Sequence, residues 1–146
     1  NSTGICVKCY VNKTDLVKEH FYIITHKVTK KAMACADTLD EAKAMAQLHP
    51  DIINPEPSEI IGGGNGSSPM SYVKDSIRVI KEIDPEIMVE QAAGITCGQE
   101  VYDFIMAGSE AAGAASGIMN ADDPFAMIDE MIAATRRAAD DLKKQG

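Results

Sequence analysis

The chain has 146 residues, a formal charge of −8 at pH 7 and a pI near 4.8, long enough for one domain with a sizeable core. The acidic balance argues against nucleic acid or an anionic membrane as partner, since both are bound through basic patches. No apolar run reaches membrane-spanning length and no signal-peptide pattern opens the chain, so a soluble, cytoplasmic protein is expected.

The first 14 residues carry no clear periodicity, and the first of them is Asn1 rather than methionine. Asp15 to about Thr25 reads as a helix with Leu16, His20, Ile23 and Ile24 inward, although Tyr22 to Thr25 also passes for a strand. Residues 1–29 are therefore taken as a lead-in. Four cysteines, Cys6, Cys9, Cys35 and Cys97, are too few and too scattered for a disulfide framework. Cys6 and Cys9 followed by His20 and His26 approach a zinc-finger spacing, which offers a metal-stabilised binding module over residues 1–26 as an alternative. The intervening length is short and no basic face follows, so no metal is expected.

From residue 30 onward, short apolar runs alternate with amphipathic helical patterns. Lys31 to Ala36 reads as a buried strand, and Thr38-Leu39-Asp40-Glu41 is a capping box for a helix running to about Leu48. Asp51 to Asn54 is a second strand. After it comes Pro55-Glu56-Pro57, then four glycines within Gly62 to Gly66, and then a helix with Ser68 as cap and Pro69 in its first turn. Val73, Ile77, Ile80 and Ile83 mark its buried face. Ile87 to Ala92 is a third strand that passes through Ala93-Gly94-Ile95 into a helix opened by the capping-box spacing Thr96 to Gln99, with Val101, Phe104 and Ile105 inward. A fourth strand of small residues spans about Ala111 to Ala115. After Ser116-Gly117 the longest helix begins at Asp123-Pro124, with Phe125, Ile128, Met131, Ile132, Thr135, Ala139 and Leu142 as its apolar stripe.

Four strand–loop–helix units imply an α/β fold of parallel strands with right-handed crossovers, either a doubly wound sheet or part of a (β/α)8 barrel. Both architectures place chemistry at the carboxyl ends of the strands. The loops with Gly62 to Gly66, Gly94 and Gly117 all fall at that end. Backbone amides that glycine allows to approach closely suit a phosphate group.

These residues resemble a known family. Glu56-Pro57-Ser58-Glu59-Ile60-Ile61-Gly62-Gly63-Gly64 resembles the E-P-x-x-x-I-G-x-G mobile loop of triosephosphate isomerase, above all its archaeal-type members. Ala93-Gly94-Ile95-Thr96 is similar to that subfamily's turn after the seventh strand, and Ala115-Ser116-Gly117-Ile118 to the turn after the eighth. The likeness covers about residues 30 to 140. It implies the carboxyl-terminal half of a TIM barrel, βα units 5 to 8. Glu56 would then be the general base that interconverts glyceraldehyde 3-phosphate and dihydroxyacetone phosphate, without metal or organic cofactor. Ile61, Gly62, Gly94, Ala115, Ser116 and Gly117 would bind the substrate. The proline pair would hold the base, and the glycine run would let a lid open and close.

The chain also departs from the family. The lysine and asparagine of the first strand and the electrophilic histidine of the fourth have no counterpart, and His20, His26 and His49 stand in other contexts. The expected partners are thus a small phosphorylated triose, an amino-terminal half-barrel, and further copies in an oligomer. A phosphate-binding domain without catalysis is the alternative.

Overall fold

The computed structural model describes residues 31–60 and 67–145. The expectations placed on residues 1–30, and those for Ile61 and Gly62, lie outside the described residues. In chain order the elements are β1 (Met33–Ala36), α1 (Leu39–Ala46), β2 (Ile52–Pro55), α2 (Met70–Ile83), β3 (Met88–Gln91), α3 (Gly98–Met106), β4 (Ala111–Ala112), α4 (Ser116–Met119) and α5 (Pro124–Gln145). No described helix is long and apolar enough to cross a membrane.

Local chemistry explains most boundaries. The Thr38 hydroxyl accepts from the Glu41 amide at 3.2 Å while the Glu41 carboxylate accepts from the Thr38 amide at 3.1 Å, so the capping box expected for α1 is closed. Asp123 accepts from the amides of Phe125 and Ala126 at 3.0 and 3.1 Å and starts α5.

Two other caps differ from expectation. Pro69, not Ser68, is the cap of α2, because the Ser68 amide turns away to the Ala93 carbonyl at 3.3 Å. At α3 the cap is Cys97, whose side chain makes no cap bond. The Gly98 amide is instead satisfied by Glu130 of α5 at 2.6 Å, so a long-range carboxylate does the work assigned to Thr96.

All four strands are parallel, in the order β1-β2-β3-β4. Met33 pairs with Ile52 and Ala36 with Pro55, Ile53 pairs with Val89, and Gln91 pairs with Ala112. Strand order decides between the two architectures left open by the sequence. A doubly wound sheet reverses direction at a switch point, whereas strands added in sequence by right-handed crossovers carry their helices on one face. The four βα units form an α/β sheet of the kind found in part of a TIM barrel.

Side-chain alternation agrees with this arrangement. Ile53 and Val89 lie fully buried in one cluster with Ala42, Ala46, Val79 and Ile80, and Gln91 receives the Ser76 side of α2 through a 3.0 Å bond from its Nε2 to the Ser76 hydroxyl. A second cluster joins Val73, Ile95, Val101, Phe104 and Met131, and Ile77 packs against both. Met33, Ile52, Asn54, Met88 and Glu90 alternate to the opposite face and belong to neither cluster. Met88 is 42% exposed.

The longest helix is turned relative to its expected stripe. Met131, Ala134 and Ala138 are its buried residues, whereas Phe125, Ile132 and Leu142 are exposed. Small residues let α5 approach α3 closely, and of the bulky stripe Ile128 and Ile132 lie beside Ala112 to Ala114. The β4 strand itself is shorter than expected, because the chain enters α4 at Ser116.

One glycine fixes how two loops meet. A Cβ at Gly117 would stand 2.2 Å from the Ile95 carbonyl oxygen and 2.8 Å from the Thr96 Cα, both backbone atoms. Gly117→Ala is therefore expected to force the loops apart and destabilise the fold by about 1–3 kcal/mol. Urea unfolding of the two proteins measures this; equal midpoints would contradict the close approach.

Candidate functional site

The carboxyl ends of the strands bring together the loops singled out in the sequence. Pro55 ends β2, and since the pairing of β2 with β3 stops at Ile53, the amide that proline lacks is not needed there. The Glu56 amide continues the ladder to the Ala36 carbonyl at 2.7 Å. Glu56 is thus rooted on the sheet, half-buried, with its backbone held on both sides.

The segment after it is anchored as a turn. Ser58 donates its amide to Asp37 at 2.6 Å and its hydroxyl to the same carboxylate at 3.2 Å, and the Ile60 amide reaches back to the Pro57 carbonyl at 3.0 Å. Tyr72 of α2 donates to the Asp37 carbonyl at 3.3 Å. Burial, and then the charges of Asp37, Glu41 and Glu59, push the Tyr72 phenol up to about 12. It therefore stays a neutral donor across the physiological range.

At the end of β3, Gly94 has φ of 71°, a left-handed conformation that favours glycine, and it is buried between Ala93 and Ile95. Gly117 touches this turn, as its missing side chain requires. The turn is also tied to residues 67–68. Burial pushes the Glu100 carboxyl up, but hydrogen bonds from Ser67, Thr96 and Cys97 outweigh it and leave it below the usual range. Thr96 supplies two of them, its amide at 2.7 Å and its hydroxyl at 3.0 Å. The buried Ser68 hydroxyl has no hydrogen-bond partner among the described residues.

Of the residues expected to form a site, Gly94, Ser116 and Gly117 lie together, with Ala115 exposed beside them and Glu56 at the end of the strand next to β3. His49 lies elsewhere. It bonds Asp84 at 2.6 Å, and its segment, between α1 and β2, is at the amino end of the sheet. No group of three or more metal-ligating side chains occurs among the described residues, and Cys6, Cys9, His20 and His26 fall outside them.

Sequence reasoning missed Asp37, Ser68, Asn54 and Glu90. Asn54 is 7% exposed, with its carbonyl oxygen buried and unpartnered among the described residues. Glu90 stands in β3 beside Asn54, and its carboxyl is pushed above the usual range by burial and by the charge of Glu56. A polar residue directly after a buried apolar one, Asn54 after Ile53 and Glu90 after Val89, was the available signal.

No protein-family model matches the chain. Curated relatives do. The chain is 33% identical over 104 residues to triosephosphate isomerase of Methanosarcina mazei, covering 70% of this chain and 47% of that one. It is 34% identical over 104 residues to the enzyme of Methanocaldococcus jannaschii, covering 70% and 48%. With that of Methanobacterium bryantii the identity is 37% over 94 residues, covering 63% and 42%. The chain spans about half the length of the curated relatives it matches.

Among solved structures it is similar in fold to a chain of the Amycolatopsis orientalis BexX/CysO complex, at TM-score 0.59 and 18% identity, covering 73% of this chain and 41% of that one. In sequence the chain is therefore similar to archaeal triosephosphate isomerases over about 70% of its length, on an architecture of parallel βα units.

Proposed function

We propose that this chain is the carboxyl-terminal half-barrel, βα units 5 to 8, of an archaeal-type triosephosphate isomerase, and that it interconverts glyceraldehyde 3-phosphate and dihydroxyacetone phosphate when completed by an amino-terminal half. The observation that carries this reading is Glu56, at the end of β2, followed on the next strands by the touching turns of Gly94 and Gly117. Such an order sets a base and a phosphate cradle on one rim. Ile61, Gly62, Gly94, Ala115, Ser116 and Gly117 are proposed to bind the substrate, chiefly through backbone amides. The setting is proposed to be cytoplasmic sugar metabolism, glycolysis and gluconeogenesis, with the completed barrel in an oligomer.

The mechanism follows from the chain's own groups. Glu56 removes a proton from the carbon next to the carbonyl, the resulting enediol carries a hydroxyl on each of its two carbons, and the same carboxyl returns the proton to the other one. Proton transfer by a positioned carboxylate needs no metal or organic cofactor. Ser58 and Asp37 hold one end of the following loop and Glu100 holds the turn where it returns. As the resemblance implies, the glycine run from Gly62 to Gly66 is proposed to let a lid close over the substrate and exclude water. Base, electrophile and closing loop form the established logic of this enzyme class.

Glu56→Gln in the completed assembly removes the base but not the amide cradle. A fall in kcat of roughly a hundred- to ten-thousand-fold, with phosphate affinity retained, is expected from steady-state kinetics and competitive inhibition by inorganic phosphate. Unchanged turnover would reject Glu56 as the base. Binding without turnover by the unsubstituted assembly would favour a phosphate-binding domain.

Completion by a second half has its own support. β1 and β4 are the edges of the described sheet, and the exposed apolar residues Ile128 and Ile132 lie beside Ala112 to Ala114. Edge strands invite pairing, and four parallel strands do not close an eight-stranded barrel. Mixing with an amino-terminal half-barrel is expected to restore isomerase activity that the chain lacks alone. Normal turnover by a monomer of this chain would contradict the proposal.

A further inference from the structure

We propose that Asp37 is a positioning residue for Glu56: its carboxylate holds the turn that follows the base, and so fixes where the Glu56 side chain stands against the substrate. This role rests on the isomerase reading above and deepens it.

Two amides bracket the base. The Glu56 amide donates to the Ala36 carbonyl at 2.7 Å, and the Ser58 amide donates to the Asp37 carboxylate at 2.6 Å. Pro57 between them has no amide to give. Both backbone donors from Glu56 to Ser58 therefore end on consecutive residues at the carboxyl end of β1. Ser58 also donates its hydroxyl to the other Asp37 oxygen at 3.2 Å, so one side chain holds it by two bonds. A bond at Ala36 alone fixes a point on the chain; the second anchor at Asp37 fixes its direction.

The segment itself is stiff. Pro55 and Pro57 are buried, and each ring sets its own φ. A residue that precedes proline, as Glu56 does, is biased to extended backbone. The Ile60 amide returns to the Pro57 carbonyl at 3.0 Å, which closes residues 57–60 into one turn, with Ile60 buried. Releasing the Ser58 anchor would swing that turn as a unit and carry Glu56 with it.

Asp37 is held in turn. Its amide donates to the Glu41 carboxylate at 2.9 Å, on the same oxygen that closes the capping box of α1, and its carbonyl accepts from the Tyr72 hydroxyl at 3.3 Å. Loops after adjacent strands and two helices thus converge on one carboxylate. Ser58 is exposed, and hydrogen bonds in such a place add little to global stability. Misplacing a catalytic group by about 1 Å costs about a hundredfold in rate. The anchor therefore matters to the rate before it matters to folding.

The test compares wild type, Asp37→Ala and Asp37→Asn in the completed assembly. Asp37→Ala is expected to lower kcat about ten- to a hundredfold and to leave the inhibition constant of inorganic phosphate unchanged, since the turns at Gly94 and Gly117 are untouched. Asp37→Asn is expected to recover most of the rate, because its side-chain oxygen also accepts from the Ser58 amide. An unchanged kcat in Asp37→Ala, or a parallel loss of phosphate affinity, would overturn the role. So would Asp37→Asn as slow as Asp37→Ala, which would make charge the cause and not the hydrogen bonds. Amide hydrogen exchange of the full chain supplies a second readout. In Asp37→Ala the Ser58 amide should lose protection while that of Val89, bonded to Glu110 at 2.8 Å, keeps it; loss at both would mean that Asp37 serves only the fold. No turnover by the unsubstituted assembly would instead reject the isomerase reading, and this role with it.

Discussion

Sequential addition of parallel strands is the constraint from which the rest of the structure follows. Each right-handed crossover returns its helix to the same face, so β1 to β4 are covered on one side, and the opposite side presents Met33, Ile52, Asn54, Met88 and Glu90. The same rule aligns every strand's carboxyl end on one rim. Residues far apart in sequence, Glu56, Gly94 and Gly117, thereby become neighbours on successive loops. The core that supports them is built on both sides of Ile77, with Ile53, Ile80 and Val89 on one side and Val73, Ile95 and Phe104 on the other.

Carboxylates hold the rim together. Asp37 binds the turn after Glu56, Glu100 binds the turn after β3, and Glu130 binds the start of α3 from the last helix. Each accepts from backbone amides that would otherwise be unsatisfied at a loop or helix start. This gives part of the acidic composition a structural meaning. Glu90 is different, because its described surroundings offer it no donor. Burial and the charge of Glu56 push its carboxyl above the usual range.

What was legible in the sequence was mostly local. Thr38 with Glu41 and Asp123 with its following amides are short-range signals, and both caps formed where they were read. The buried faces around Val73 and Ile80, and around Val101 and Phe104, followed from helical spacing. Long-range partners were not legible. Glu130 replaced Thr96 as the donor's partner at α3, and contact with α3 turned α5 toward Ala134 and Ala138 instead of Ile132. The choice between a doubly wound sheet and part of a barrel needed the strand order, which no single segment encodes. The likeness of the Glu56 loop and of the two later turns to triosephosphate isomerase did point to relatives that the identities support. Glu90 escaped notice because its surroundings are set by Asn54 of β2 and by Gly113, just past β4, both distant in sequence.

The central claim is that one rim carries both a base and a phosphate cradle. A crystal structure of this chain with 2-phosphoglycolate tests it most directly. The account predicts the phosphate against the backbone amides at Gly94 and Gly117, with the ligand's carboxylate facing Glu56. Density for the ligand at any other place, with that rim empty, would contradict it.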